Sequence, residues 1–123
     1  MKPQRQARYC METDWAHRRP ADLIPHVPDR PVNPFATALD RGQLYVELYC
    51  PVDEDHQEPH DRDECYVVVE GSGEFVCGDE RVTVGPGDFL FVPAGMPHRF
   101  ENFGHRLRTW VMFYGPEGGE RVT

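Results

Sequence analysis

At 123 residues and a formal net charge of −8, the chain reads as one small acidic domain, and that charge argues against a nucleic-acid partner. Hydrophobic residues make up 39% of it, enough for a single packed core, while twelve prolines and eleven glycines exclude a protein built of long helices. No apolar run approaches the ~18 residues of a membrane span, so no membrane partner is expected.

Residues 1–36 read as an irregular, proline-rich N-terminal arm. Pro3, Pro20, Pro25, Pro28, Pro31 and Pro34 forbid a long helix or a central strand there. Its scattered apolar residues, among them Trp15, Leu23, Ile24, Val27 and Phe35, predict an arm draped over the domain, contributing at most one edge strand. A lid over a pocket or a cover for a partner subunit is the functional alternative. The basic start, Met1 to Gln6, has no apolar stretch after it, so no secretory leader is expected.

From residue 43 the hydrophobic period becomes two. Gln43–Cys50 reads as a strand between Gly42 and Pro51, followed by an acidic loop to Pro59. Glu64–Glu70 is a valine-rich strand ended by Gly71. Glu74–Cys77 and Arg81–Val84 form a hairpin around Gly78 and Asp79. Asp88–Val92, His98–Asn102 and Arg106–Tyr114 complete the strands, and the tail of residues 117–123 is expected to be loose. Short strands separated by Gly/Pro turns over residues 37–116 predict an all-β barrel or double-sheet jelly roll.

The cysteines, Cys10, Cys50, Cys65 and Cys77, show no CxxC spacing. They are expected to be reduced thiols in a cytoplasmic protein. Cys65 directly follows Glu64, so it should face the other side of its strand.

Two segments carry imidazole and carboxylate groups. In the first, Glu58, His60 and Glu64 share parity and project one way if the stretch between them is regular. In the second, Pro93-Ala94-Gly95 turns the chain so that His98 enters its strand facing inward. Two imidazoles with one or two carboxylates suit Fe, Mn, Ni or Zn better than Mg or Ca. Tyr66 shares parity with Glu64, and Phe100 with His98. Together with Trp110, Met112 and Tyr114 they are expected to line a pocket beside the metal. Phe89 and Phe91 are expected to fill a hydrophobic layer.

These segments resemble the two motifs of the cupin superfamily. Gly87, Pro93, Gly95, His98 and Asn102 match every fixed position of the second motif, and His60, Glu64 and Gly71 match the second half of the first. The first motif's glycine falls at Val52 and its first histidine at Glu58. The resemblance implies a double-stranded β-helix, or jelly-roll barrel, holding one divalent transition metal through His60, Glu64 and His98. Glu58 is a candidate fourth ligand in register. His56 is a substitute if the loop bulges, and water is a third occupant. The implied activity is metal-dependent chemistry on a small organic molecule, of dioxygenase type. The alternatives are an isomerase or decarboxylase using the same metal, with Glu58 or a tyrosine as acid/base, or a non-catalytic binding module. A homodimer paired through its sheets, with the arm crossing the interface, is implied as well.

Overall fold

The computed structural model describes residues 15–122; residues 1–14 of the arm, with Cys10, lie outside the described residues. Eight strands follow in chain order: β1 Phe35–Arg41, β2 Leu44–Tyr49, β3 Asp63–Glu70, β4 Gly73–Cys77, β5 Glu80–Val84, β6 Phe89–Val92, β7 His98–Glu101 and β8 Arg108–Tyr114. They form a five-stranded sheet in the order β1-β2-β8-β3-β6 and a three-stranded sheet in the order β5-β4-β7, antiparallel throughout. This is the jelly roll the strand spacing predicts. The edge strand expected near the arm is β1, which begins at Phe35 directly after Pro34 and, among the described residues, pairs with β2 alone.

The core lies between the sheets. Tyr66, Val68, Val92 and Val111 from the larger sheet meet Phe75, Val84 and Phe100 from the smaller one, and Tyr66 and Phe100 are almost fully buried. Their rings pack edge to face, with centroids 5.3 Å apart. A second cluster covers the outer face of the five-stranded sheet. There a single helical turn, α1 (Pro20–Leu23), and a 3₁₀ turn over Ile24–His26 lay Leu23, Ile24 and Val27 against Ala36, Ala38, Leu48 and Trp110. Pro20 sits in the first turn of α1, where its missing N–H costs nothing. Asp22 accepts a hydrogen bond from the Arg19 N–H at 3.0 Å. The described part of the arm therefore packs on its own chain.

The motif glycines serve the backbone. Gly71 has φ +91°, and a Cβ there would lie 2.7 Å from the Arg106 carbonyl oxygen; no other residue fits that crossing. Asn102 also takes a left-handed conformation, φ 53°, and its side-chain amide donates to Glu74 Oε1 at 2.5 Å. Among the described residues, no helix is long and apolar enough to cross a membrane. Cys50, Cys65 and Cys77 are free thiols.

Candidate metal centre

Glu64, second in β3, points between the sheets, and His98, first in β7, faces it from the other sheet. His98 Nε2 lies 2.8 Å from Glu64 Oε1, and the two side chains are 0% and 1% exposed. His60 joins them from the loop before β3, and one ligand atom from each of the three falls within 4.8 Å of the others. The Nδ1 of His98 is engaged by the Met96 carbonyl at 2.8 Å, so Nε2 is the nitrogen presented to the cluster. The ring of His60 packs edge-on against Phe113 at 4.7 Å.

The backbone locks this arrangement. The Gly95 N–H donates to the His60 carbonyl at 2.6 Å, tying the turn before His98 to the segment that carries His60. Asp63, itself buried, accepts the Ala94 N–H on Oδ1 and the Glu120 N–H on Oδ2, both at 2.9 Å. The Gly118 N–H donates to the Asp61 carbonyl at 2.6 Å. The tail expected to be loose is thus fastened to the ligand-bearing loop through residue 120.

Electrostatics fit a cation. Burial pulls the His60 imidazole below its usual range, which keeps its lone pair available at neutral pH. Burial also pulls His98 down, but its hydrogen bond to Glu64, that carboxylate's charge and the Met96 carbonyl outweigh burial and leave it raised. Among the described residues, Glu64 Oε2 is buried with no hydrogen-bond partner. A buried, orphaned carboxylate oxygen costs several kcal/mol unless a cation takes it. The donor set of two imidazoles and one carboxylate suits a divalent transition metal, so these residues fit the expected group.

The first-motif loop departs from the expected register. Residues 55–62 lie outside any strand, so the two-residue period does not hold there. Glu58 and His56 are exposed at the pocket mouth, with His56 3.3 Å from Glu54, and neither joins the cluster. Gln57 takes the inner position instead. Its Oε1 lies 3.0 Å from His98 Nε2 and accepts the Tyr66 hydroxyl at 2.8 Å. Its Nε2 donates to Asp55 Oδ2 at 2.5 Å. Asp55 also accepts the Tyr49 hydroxyl at 2.5 Å and the Phe100 N–H at 2.9 Å. Neither Gln57 nor Asp55 stood out in the sequence, because nothing in the spacing marks a loop residue that folds inward.

A cavity of about 810 Å³ opens from this cluster, within the size range of small-molecule sites. Its walls include Tyr45, Glu47 and Tyr49 of β2, Glu64 and Tyr66 of β3, and Val111 and Phe113 of β8. The arm supplies Val32 and Asn33, and the tail supplies Glu117. Glu47 is buried, and desolvation, reinforced by the charge of Glu64, pushes its carboxyl up to about 8. The pocket wall expected of Trp110, Met112 and Tyr114 is a correction. Val111 and Phe113 face the cavity, so by alternation their neighbours face out, and Trp110 packs with the arm's cluster. The β8 sequence is apolar on both faces because both are covered, which hid its parity. Phe100 sits in the core behind Tyr66 rather than on the cavity wall. Phe89 and Phe91 do not fill a layer: they stand on the outer face of β6, 63% and 47% exposed.

Comparison with known proteins agrees with this architecture. The family model for the cupin domain matches residues 47–114. An uncharacterized protein of Streptomyces coelicolor is 41% identical over 63 residues, covering 51% of this chain and 60% of the relative. The crystal structure of a putative mannose-6-phosphate isomerase from Ralstonia eutropha superposes with a TM-score of 0.61 at 25% identity, covering 73% of this chain and 92% of that one. The structure of Fe(II) HppE gives a TM-score of 0.58 at 15% identity, covering 65% and 50% of the two chains. With its family model, its two facing sheets and its inward His60, Glu64 and His98, the chain belongs to the cupin family.

Proposed function

We propose that the protein is a metal-dependent enzyme acting on a small organic molecule, with a divalent transition metal held by His60, Glu64 and His98. The observation that carries this reading is the buried Glu64 Oε2, without a partner among the described residues, on a carboxylate grouped with the His60 and His98 imidazoles beside an open cavity. When bound, the metal supplies Lewis acidity and coordination positions for substrate and O₂, chemistry of dioxygenase type. Tyr45, Tyr49, Tyr66 and Phe113 form a wall that excludes water and stacks on an aromatic or partly apolar substrate. Glu47 holds a proton inside the same cavity, where it can be passed to or taken from a bound substrate.

That protonated carboxyl favours a second reading, isomerisation or decarboxylation at the same metal. Glu47 replaces the exposed Glu58 as the acid/base in it. Oxygen uptake separates the two. Protein loaded with Fe(II) is offered a panel of aromatic acids, with sugars as controls, in an oxygen electrode and under anaerobic conditions. Oxygen consumed in step with substrate supports the dioxygenase reading; turnover that persists without oxygen supports the proton-transfer reading. Protein that takes up no divalent metal overturns both.

The same proposal includes a homodimer joined through the outer face of β6, supported by the exposed Phe89 and Phe91 pair. It also includes a cytoplasmic setting, in which Cys50, Cys65 and Cys77 stay reduced.

A further inference from the structure

We infer that the side-chain amide oxygen of Gln57 is the fourth protein ligand of the metal, in the place the motif register assigns to Glu58. The inference rests on the metal-site reading above and goes beyond it.

Asp55 decides which end of the Gln57 amide faces the centre. It is buried, and its two oxygens already accept the Tyr49 hydroxyl and the Phe100 N–H. A carboxylate can only accept, so the Gln57 end that meets Asp55 Oδ2 at 2.5 Å is the NH₂ group. The carbonyl end is then turned to the opposite side, where Glu64 and His98 meet. The flip of this amide, ambiguous in isolation, is set by its neighbour.

The carbonyl oxygen lies where a shared cation would hold it. Gln57 Oε1 is 3.0 Å from His98 Nε2, and Glu64 Oε1 is 2.8 Å from the same nitrogen. Such separations are those of neighbouring ligand atoms around one ion with bonds of about 2.1 Å. Gln57 Oε1 has two lone pairs. The Tyr66 hydroxyl takes one at 2.8 Å and orients the group, leaving the other for the ion. The imidazole nitrogen and the amide oxygen then cease to face each other as a hydrogen-bonded pair and bind the same centre. Tyr66 and Asp55 become the outer partners that aim this ligand, as the Met96 carbonyl aims His98.

The consequence is a set of two imidazoles, one carboxylate and one neutral amide oxygen. Relative to a centre with three imidazoles it is harder and richer in oxygen, which shifts preference toward Fe(II), Mn(II) and Co(II) and away from copper.

The test is a crystal structure of the full chain loaded with Co(II), together with Co(II) titrations of wild type, Gln57→Ala and Glu58→Ala by calorimetry and visible absorption. The expected structure has Gln57 Oε1 about 2.1 Å from the cobalt. Gln57→Ala is expected to weaken Co(II) binding by roughly 10- to 100-fold and to alter the cobalt absorption bands, with Glu58→Ala unchanged. Cobalt bound by His60, Glu64 and His98 with the Gln57 oxygen beyond bonding distance overturns the inference and leaves the metal site standing. So does a Gln57→Ala protein that folds and matches wild type in affinity and spectrum. Wild type that binds no Co(II) overturns the metal-site reading, and this inference with it. If Gln57→Ala fails to fold, the wild-type structure decides.

Discussion

The carbonyl of His60 accepts the main-chain N–H of Gly95 at 2.6 Å, so the loop that offers one imidazole is stitched to the turn that launches the other. Further along the same segment, Asp63 holds Ala94 of that turn and Glu120 of the tail through its two carboxylate oxygens. Truncating Asp63 leaves both N–H groups without their acceptor. Hydrogen bonds to a charged group contribute about 1.5–3 kcal/mol each. Asp63→Ala should therefore lower unfolding stability by about 3 kcal/mol in denaturant titrations, and metal affinity should fall with it although no ligand has changed.

Removing a ligand should separate metal binding from folding. His60→Ala and Glu64→Gln are expected to abolish stoichiometric uptake of Fe(II) or Co(II), measured by elemental analysis after desalting. Metal at about 100 times its dissociation constant stabilises the folded chain by about 2.7 kcal/mol. Wild type should therefore melt higher with metal than after chelation, and neither variant should respond. An equal response in Glu64→Gln would place the ion elsewhere.

Acid should act on the two states of the site in opposite directions. In the metal-free protein His98 is raised: burial lowers it, but the Glu64 hydrogen bond and charge and the Met96 carbonyl outweigh that. That stabilisation is complete below the ordinary imidazole range of about 6.5 and is lost as pH rises through the folded value. The metal needs the same lone pair, so its stabilisation grows with pH and its binding releases protons. The melting-temperature gain from Co(II) should increase between about pH 5.5 and 8, and dialysis at about pH 4.5 should strip the ion. Metal retained through that dialysis would contradict the site.

Glu47 predicts a separate pH effect in the metal-free protein. Burial first, then the charge of Glu64, raises its carboxyl from 4.5 to about 8. The stabilisation is whole below 4.5 and disappears as pH climbs through 8. At about 1.36 kcal/mol for each pH unit between the unfolded and folded values, the effect reaches a few kcal/mol. Glu47→Gln cannot titrate, and its stability relative to wild type should rise from about pH 5 to about pH 8.5 in denaturant titrations. A constant difference across that range would remove Glu47 as the proton carrier.

The exposed pair on β6 predicts the association state. Replacing Phe89 and Phe91 with serine should convert a dimer into a monomer that still folds, read by size exclusion with light scattering, because both rings face away from the chain's own core. The arm should behave differently. Leu23 is buried against Leu48 and Ala36 of its own chain, so Leu23→Ala should cost about 2–3 kcal/mol of folding stability. A dimer that survives the serine pair excludes that face.

The sequence by itself determined the fold and three of the site's residues. Alternating strands between Gly/Pro turns dictate an antiparallel jelly roll, because a period of two has to bury one face of each strand. The intact spacing from Gly87 to Asn102 carries His98 inward, and Glu64 and His60 follow from the first motif's second half. Parity is reliable wherever the chain is a strand with one covered face, as at Glu64 and Tyr66. Tertiary structure decided the rest. Between Asp55 and Arg62 the backbone is irregular, so nothing local tells which side chain turns in; the buried Asp55 carboxylate selects Gln57 over Glu58 and His56 by demanding its donors. In β8 both faces are apolar, one toward the cavity and one toward the arm, so its pattern could not say that Val111 and Phe113 rather than Trp110 and Met112 face the cavity. The Glu47 carboxyl is raised only because the closing sheets removed it from water beside Glu64. Local periodicity records which residues a strand can bury; how deeply, and beside what charge, is set by the elements that pack against it.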